Sequence, residues 1–572
     1  MAILSAMFVL ASFLILRSIG RKDSKSINVA MTAKINSLDP AIAFNNIDLT
    51  AISQTYEPLY EYHYLKRPFK VIPLLAQDLP QISNDGLTYT IRIKENIPYH
   101  DHPAFNGKRR FVRASDFITQ IKRLAYGPMK SNGKWPFEGK IVGFNEFSAL
   151  TDSNPHSFYK QDIKGLSAPD NRTLVIKLKK RVPLLVYFLT MNFVVPVPVE
   201  IIRYYKNDLS KNMIGTGPFK FAEKDDEKLV LTRFKKYRES TYPVNGDRYA
   251  NQNELLLAAG KKIPFLDMIS FKIVNDGARQ WKMFQNNNLD ILQAPRELIT
   301  RFISNTPGSS EIDHEKMKIR YFPSLVNRWL AFNMKDKVVG KKMYLIRKAI
   351  AHSIDYESYI RKITKNTGLI ANSILTPGIP GYDPKHRPNY HYDPKLARKL
   401  LMQAGYPEGE GLPAITYSTR TDQKISIFEG EFIKNQLSKI GIKINVQVLT
   451  FKQFLMLGRT GQLQMWTDNW IYDYPDAENI IQLLISQNHP GINKSAYWNH
   501  DVDQLYQKLI HTSDSHERLA IIKRIENIVY TELPWIMLSY ERDYILTSKC
   551  IKNFRKSSFI RNYFKYIDLN CR

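Results

Sequence analysis

The stretch from Gln464 to Leu484, QMWTDNWIYDYPDAENIIQLL, concentrates residue types that could form a binding site. Trp470, Tyr472 and Tyr474 lie close to Asp473 in the chain, and apolar walls with a few fixed charges are typical of a site that encloses a small molecule. A carboxylate among aromatic rings is costly to bury unless it meets a cation. Asp473 is therefore interpreted as the partner of a positively charged ligand group. The alternative is a strand and turn whose aromatic rings are simply core.

The same stretch contains two further carboxylates, Asp468 and Asp476, and a pair of carboxylates is the machinery of glycoside hydrolysis. One local cluster does not set the separation that such a pair requires. The chain also carries no GxxxxGK[ST], GxSxG or HExxH motif, so the common signatures of NTPases, serine hydrolases and zinc proteases are missing. We therefore predict that the chain is not an enzyme, and that it has no catalytic residue and no cofactor.

The sequence His100-Asp101-His102 is the arrangement most suggestive of a metal site. Adjacent residues of a strand point to opposite faces, and the local signals favour a loop, so a solvated turn is the preferred interpretation. Neither cysteine belongs to a CxxC pair, and no Cys/His cluster has zinc-ligand spacing. We predict no metal site.

The two cysteines, Cys550 and Cys571, both lie near the C-terminus. In an oxidising compartment they could form a disulfide that closes the C-terminal tail and stabilises the fold by about 3 kcal/mol. Two reduced thiols are the alternative that the sequence leaves open.

Composition indicates a folded protein with a strongly basic surface. The chain has 572 residues, 44% of them hydrophobic, and 82 Lys and Arg against 54 Asp and Glu give a net charge of +28. Such a charge favours acidic surroundings, including anionic lipid, anionic polymer or nucleic acid. The basic residues are spread along the chain rather than massed in one arm or helix, so general surface basicity is favoured over nucleic-acid binding.

The N-terminus begins with an apolar run, MAILSAMFVLASFLIL, that ends at Arg17. The run is shorter than the roughly 20 residues of a typical transmembrane helix and close to the apolar region of a secretory signal peptide. It lacks a preceding Lys or Arg, a clear cleavage site and a cysteine for lipid attachment. Export is the favoured interpretation, with a cleaved signal peptide and an uncleaved membrane anchor both open.

Local patterns predict a mixed α/β chain. The segment from Leu87 to Ile93 alternates like a half-buried strand, and residues 344–363 have a helical pattern. The clearest helix starts with Asp393 as its N-cap and Pro394 at its first position, and Gly405 ends it. Helices that are followed at once by strands, several times over, indicate sheets covered by helices.

The order of these segments resembles the family 5 extracellular solute-binding proteins, which are the oligopeptide-, dipeptide- and nickel-binding components of ABC importers. Each motif is weak alone, but together they cover about residues 27 to 545 in the family's order. The matching stretches are SLDPA (37–41), YEPLY (56–60), NDGLTYTIRIKENIPYHD (84–101), RASDFITQIKRL (113–124), IGTGPFKF (214–221), NNNLDI (286–291), LAFNM (330–334), IRKAIAHSIDYESYI (346–360), YDPKLARKLLMQAGYP (392–407), IKNQLSKIGIKINVQ (433–447) and WIYDYPDAENII (470–481).

The resemblance implies an α/β fold of the type II periplasmic-binding-protein kind, a "Venus flytrap" with two lobes and three domains with mixed sheets. The two lobes would hinge shut over a ligand, and the closed form would dock on a membrane permease. The expected boundaries are 1–26 for a signal peptide or anchor and its linker, 27–64, 193–300 and 534–572 for domain I, 65–192 for domain II, and 301–533 for domain III.

The resemblance also implies a function and a set of site residues. In peptide-binding members an aspartate in a W-x-x-D-Y segment pairs with the ligand's α-ammonium, and that pattern falls on Trp470, Asp473 and Tyr474. Family members line the pocket from the preceding segment as well, which here implies Phe451 and Arg459. The implied protein is a periplasmic or extracytoplasmic monomer that binds peptides and delivers them to permease subunits. A metal chelate, a glycan or a cell-wall fragment is the alternative ligand, and an enzyme or a nucleic-acid binder is the alternative class.

Overall fold

The computed structural model describes residues 24–294, 298–299, 316–421, 424–513 and 515–571. The predicted signal peptide or anchor therefore lies outside the described residues, apart from its last three positions. The predicted start of domain III at residue 301 also lies outside them. The other predicted boundaries stay predictions.

Two large hydrophobic cores divide the described chain into two lobes. The core of the first lobe draws on residues between Ile27 and Ile291 and between Ile545 and Ile567. The core of the second lobe draws on residues between Leu325 and Tyr540. The chain thus enters the first lobe, builds the second and returns to the first.

The strands form one large mixed sheet and several smaller ones. The strands are β1 (Ser26–Met31), β2 (Tyr60–Tyr62), β3 (Val71–Pro73), β4 (Gln81–Ile82), β5 (Thr88–Arg92), β6 (Leu166–Asp170), β7 (Thr173–Lys177), β8 (Phe219–Lys224), β9 (Lys228–Arg233), β10 (Met268–Ile273), β11 (Ile291–Gln293), β12 (Met317–Phe332), β13 (Leu369–Ile370), β14 (Ile415–Arg420), β15 (Ile444–Leu449), β16 (Met465–Ile471), β17 (Trp535–Ser548), β18 (Ile551–Lys552) and β19 (Asp568–Leu569).

The large sheet runs through both lobes in the order β15-β14-β16-β12-β17-β11-β1-β10-β9-β8, and β13 also pairs with β17. Strand β1 is parallel to β10, β14 is parallel to β15, and β12 is antiparallel to both β16 and β17. Strands of the second lobe occupy one end of this order and strands of the first lobe the other. A separate sheet, β4-β5-β7-β6, belongs to the first lobe.

The long strands β12 and β17 are the connection between the lobes. Residues 317–323 of β12 pair with β17 in the first lobe, and residues 327–331 pair with it in the second. The register is irregular between Pro323 and Asn327, and Leu325 within that gap has a φ of 57°. A break in register with a non-glycine residue in the left-handed region marks a local bend of a strand. We therefore place the hinge at this break.

The helices lie between and beside these strands in the chain. They are α1 (Asn46–Ile52), α2 (Ala114–Ala125), α3 (Phe144–Ser153), α4 (Leu185–Phe188), α5 (Val199–Tyr204), α6 (Arg248–Gln252), α7 (Gly277–Gln285), α8 (Tyr344–Ser353), α9 (Tyr356–Lys362), α10 (Pro394–Gln403), α11 (Lys424–Ser438), α12 (Phe451–Arg459), α13 (Glu478–Ile481), α14 (His500–Leu509) and α15 (Ser515–Glu532).

Local sequence signals predicted some elements closely and one incorrectly. Helix α10 begins as expected, with the Asp393 side chain accepting a hydrogen bond from the Leu396 backbone N–H at 3.0 Å, and Gly405 follows it with a φ of 88°. The single helix predicted over 344–363 is instead two helices. Ile354 is extended, and Asp355 starts α9 by accepting a hydrogen bond from the Ser358 N–H at 2.9 Å. A good N-cap within an apolar pattern can therefore divide a helix.

The C-terminal tail is fixed by a disulfide between Cys550 and Cys571, which are 21 positions apart. Inside the closed loop, β18 pairs with β19 through Ile551–Leu569 and Lys552–Asp568. Of the two states that the sequence left open, the structure therefore has the oxidised one. Within the described ranges, no helix combines the length and apolar character needed to cross a bilayer.

Candidate ligand-binding site

The turn that carries Asp473 follows β16 directly, at the junction between the lobes. Strand β16 is held in the second-lobe part of the sheet by β12, where Val326 pairs with Ile471. Pro475 then prevents the strand from continuing, because proline cannot donate a ladder hydrogen bond. The Asp473 side chain is exposed to solvent at this point, while its neighbours Tyr472 and Tyr474 are each only 3% exposed.

Asn479 fixes the conformation of this turn. Its Oδ1 accepts a hydrogen bond from the Trp470 indole Nε1–H at 2.9 Å and another from the Asp473 backbone N–H at 3.1 Å. Asn479 is itself fully buried, so neither bond competes with water. A carboxylate on a backbone held in this way is pre-organised for a ligand, which reduces the ordering cost of binding.

The electrostatic environment of Asp473 disfavours its charged form. Although the Asp473 side chain is open to solvent on one side, protein packed around its other side removes part of the water from the carboxylate and raises its pKa above the ordinary value. Asn479 and the Arg561 guanidinium oppose this shift only in part. The ionised carboxylate is therefore under-compensated, and a cation at this position would lower its free energy.

Arg561 of the first lobe is near enough to Asp473 for the two charges to interact. Its Nη2 donates a hydrogen bond to Asn46 Oδ1 at 3.0 Å, and its backbone carbonyl accepts one from Gln54 at 2.8 Å. Burial lowers the pKa of the Arg561 guanidinium, while Asp473 and Tyr62 oppose that shift by their charge. Each lobe thus contributes one charged group to the same region, a carboxylate from the second lobe and a guanidinium from the first.

Tyr474 joins the two lobes. Its ring lies 6.2 Å from Tyr187 and 6.3 Å from Trp135, both stacked, and 5.5 Å from Phe188, edge to face. All three partners belong to the first lobe, and Tyr474 counts among its core residues. The Tyr474 hydroxyl donates a hydrogen bond to Glu478 in its own lobe. The buried Tyr474 ring is therefore a direct contact between the two lobes.

A cavity of about 600 Å³ lies between the lobes beside the hinge. Its lining includes Pro323 and Leu325 from the hinge, Phe69 from the first lobe and Pro377 from the second. The Phe69 ring also packs against Tyr62 at 5.8 Å. Tyr62 in turn interacts electrostatically with Arg561.

The remaining predicted site residues lie in different surroundings. Tyr472 points into the second-lobe core, with its hydroxyl 3.5 Å from the Ile374 carbonyl. Trp470 and Arg459 line a smaller cavity of about 180 Å³ within the second lobe. Phe451 is exposed at the start of α12, with the Arg420 guanidinium 5.1 Å from its ring centroid. The structure thus brings Trp470 and Arg459 together, and leaves Tyr472 and Phe451 away from that cavity's lining.

The other two carboxylates of the segment have cation partners. Asp468 pairs with Lys494 at 2.8 Å, and Asp476 pairs with Arg518 at 2.6 Å. Both pairs are largely buried, so these charges hold the second lobe together and are not available to a ligand. Asp473 is the carboxylate of this segment that remains accessible.

The prediction of a solvated turn at His100-Asp101-His102 is wrong for His100, which is buried. His100 is only 4% exposed, its Nε2 lies 2.9 Å from the Gly217 carbonyl oxygen, and burial lowers its pKa to about 4. Asp101 forms a surface ion pair with Lys236 at 2.7 Å. Across the part of the chain that the structure describes, no three His, Cys, Asp or Glu side chains are grouped so as to hold a metal ion.

Sequence reasoning missed Asn479, Arg561 and Trp135. Asn479 lies inside the segment that was singled out, and a polar residue at the first turn of a buried helix could have been noticed as a capping or anchoring group. Arg561 and Trp135 lie far from Asp473 in the chain and carry no local signal, so only the fold brings them to the site.

Comparison with known proteins agrees with this architecture. The family described as "Bacterial extracellular solute-binding proteins, family 5 Middle" matches residues 70–491. Heme-binding protein A of Haemophilus influenzae is 23% identical over 554 residues, which cover 94% of this chain and 91% of that protein. Glutathione-binding protein GsiB of Escherichia coli (strain K12) is 23% identical over 544 residues, which cover 93% and 92%.

Among solved structures, one similar fold is that of the ABC transporter-associated periplasmic binding protein DppA from Helicobacter pylori in complex with peptide STSA. It has a TM-score of 0.69 and 23% identity, and the match covers 96% of this chain and 98% of that one. The fold is therefore the two-lobed, type II periplasmic-binding-protein fold. Since the family match extends over most of the sequence, the chain belongs to the family 5 bacterial extracellular solute-binding proteins.

Proposed function

We propose that this chain is the substrate-binding component of an ABC importer that captures peptides between its two lobes. Membership of the solute-binding family supports the binding role. The hinge on β12 and β17 supports capture by closure, because a bend in these two strands changes the angle between the lobes. The closed form would then present both lobes to permease subunits in the membrane.

The observation that carries the peptide proposal is the accessible, under-compensated Asp473 carboxylate. A peptide's α-ammonium is a compact cation that can donate several hydrogen bonds to one carboxylate. Binding of such a cation would favour the ionised form of Asp473, which the surrounding protein disfavours in the empty site. The single anchoring charge fits ligands whose other side chains vary.

The rest of the ligand would extend from Asp473 into the cavity beside the hinge. The 600 Å³ cavity between the lobes offers apolar surface from Phe69, Tyr321 and Tyr540, and positive charge from Arg67 and Arg542. We infer that apolar peptide side chains would occupy this space and that one of these arginines would meet the C-terminal carboxylate. Arg459, which the resemblance implied as a pocket residue, lines the second-lobe cavity instead.

Several further features belong to the same proposal. The protein would act outside the cytoplasm as a monomer, either released after cleavage of its N-terminal segment or tethered by it. It would have no catalytic activity and no nucleic-acid partner, since the basic residues are dispersed along the chain. Phe451 and Trp470 would contribute further ligand contacts, and Tyr472 would support the turn from behind.

Known relatives bind ligands of more than one chemical class, as their names state: peptide, glutathione and heme. Native mass spectrometry of protein purified without denaturation, followed by release and sequencing of the ligand, separates these classes. A ladder of short peptides with mixed side chains is the expected result. A single defined non-peptide mass would keep the importer role and overturn the peptide assignment.

A further inference from the structure

An open groove of about 900 Å³ lies on the first lobe, away from the region of Asp473. It runs between the first residues of β12, the segment 249–261 and the disulfide-closed tail. The groove is larger than the cavity beside the hinge and shares with it only Tyr249 and Tyr321. The solute-binding role described above does not require it.

The groove is lined by a concentration of basic side chains. These side chains are Lys261, Lys318, Arg320, Lys549 and Lys552. None of the five forms an ion pair within 4.0 Å with another described residue, and most of them are exposed. The acidic residues of the lining are Glu254 and Asp568, and Asp568 already pairs with Lys25 at 2.5 Å. The surface therefore carries uncompensated positive charge.

The basic groups are close enough to repel one another. Burial lowers the pKa of the Lys318 ammonium, and Arg320, Lys552 and Lys549 lower it further, while Glu254 opposes the shift. A set of cations held together by the fold is stabilised by any anion that enters among them. The antiparallel β18–β19 pair and the disulfide hold the tail side of the groove in place, so the arrangement does not depend on a mobile terminus.

Exposed apolar groups accompany the charges. Leu257 is 73% exposed and Tyr321 is 61% exposed, and both line the groove. Tyrosine and leucine beside lysine and arginine are the combination that meets the interface of a bilayer, where rings enter the headgroup layer and cations meet lipid phosphates. A soluble polyanion would use the charges but gives no reason for the exposed leucine.

The chain enters the first lobe at the same place. The Lys25 backbone N–H donates to Asp267 at 3.0 Å, and its Nζ donates to Asp568 in the groove lining. The apolar run of the sequence ends at Arg17, and the linker from Arg17 to Lys25 can span at most about 29 Å. If the apolar run enters a bilayer, the groove is held within a short distance of the headgroups.

We propose that this basic groove is a membrane-facing surface that docks the first lobe on anionic phospholipid headgroups. Its contribution adds to that of the N-terminal apolar run, because stable membrane association generally needs two weak signals acting together. Docking through this face would orient the protein on the membrane in which its permease resides. The groove does not depend on which solute the protein carries.

The test is vesicle co-sedimentation of the full chain. The measured quantity is the partition coefficient on vesicles of phosphatidylglycerol and phosphatidylcholine, divided by that on phosphatidylcholine alone, so that binding by the apolar run cancels. Each basic residue near an anionic surface strengthens binding about fivefold, so neutralising two of them with Lys318→Gln and Lys552→Gln should lower this ratio about 25-fold. Raising the salt concentration should reduce the wild-type ratio toward that of the variant.

The matched control is Lys395→Gln with Lys399→Gln, two exposed lysines of α10 in the second lobe. This pair makes the same change in net charge and should keep the wild-type ratio. An unchanged ratio in the groove variant would overturn the proposal. An equal fall in the control variant would overturn it as well, because the preference would then come from net charge and not from the groove.

Discussion

Replacing Asp473 by Asn removes the charge of the anchor and retains its shape. The carboxylate is accessible at the lobe junction, and its backbone is fixed by Asn479 independently of the charge. The substitution should therefore leave the fold intact. Because the fold disfavours the ionised carboxylate in the empty protein, the variant should be as stable as the wild type or more so.

The loss of binding can be worked out from Coulomb's law. An ammonium about 3 Å from a carboxylate gains about 5–6 kcal/mol at an effective dielectric constant near 20. Asp473 is exposed, and water screens an exposed pair, so about 2–3 kcal/mol should remain. That difference corresponds to a peptide dissociation constant that is about 30- to 160-fold weaker.

The assay is isothermal titration of a peptide recovered from the protein, with its N-acetylated form as a second ligand. The wild type should bind the acetylated peptide about as weakly as Asp473→Asn binds the free one, and the variant should hardly distinguish the two. Asp501→Asn, at an exposed position of the same lobe, serves as the control and should bind like the wild type. If Asp473→Asn is folded and binds the free peptide with wild-type affinity, the reasoning is refuted.

Three other predictions concern the elements around the site. Asn479→Ala leaves two N–H groups without their acceptor, so it should lower the free energy of unfolding by about 2 kcal/mol and weaken ligand binding, as measured by urea denaturation and titration. If the Asn479→Ala variant has the stability and affinity of the wild type, the turn does not depend on the Asn479 side chain. Burial raises the pKa of Glu526 to about 7, so stability is greatest below the ordinary Glu pKa and should fall by roughly 3 kcal/mol as the pH rises through 7. Glu526→Gln should flatten this dependence in denaturation measured across that pH range, and an unchanged slope would contradict the assignment. Replacing Cys550 and Cys571 by Ser should cost about 3 kcal/mol of stability and make denaturation insensitive to reductant. A wild type that is already insensitive to reductant would argue against a disulfide in solution.

Sequence patterns predicted the elements whose signals are local. The helix capped by Asp393 and the strand around Tyr89 and Ile91 were correct because capping and alternation are read from neighbouring residues. The break at Asp355 was missed because an apolar pattern continued across it. Strand β12 shows no clear alternation in its first half, because that half mixes charged and apolar residues as the strand passes from one lobe to the other.

The site could be predicted in part for the same reason. The segment around Asp473 was found from its composition, but sequence alone did not separate the directions of its three aromatic residues. Tyr472 packs into its own lobe, whereas Tyr474, two positions later, packs into the other. The strand ends at Ile471, and beyond it the alternation of faces no longer applies. The proximity of Arg561 to the site could not be predicted, because it depends on the return of the chain to the first lobe, which only the fold reveals.

The central claim is that Asp473 receives the ammonium of a peptide held between the lobes. A crystal structure of the ligand-loaded protein measures this directly as the distance between the ligand's terminal nitrogen and the Asp473 carboxylate. We predict a charge-assisted hydrogen bond of about 2.8 Å, with the ligand enclosed by both lobes. A ligand that is enclosed but presents no cation to Asp473, or one bound elsewhere on the chain, would contradict the claim.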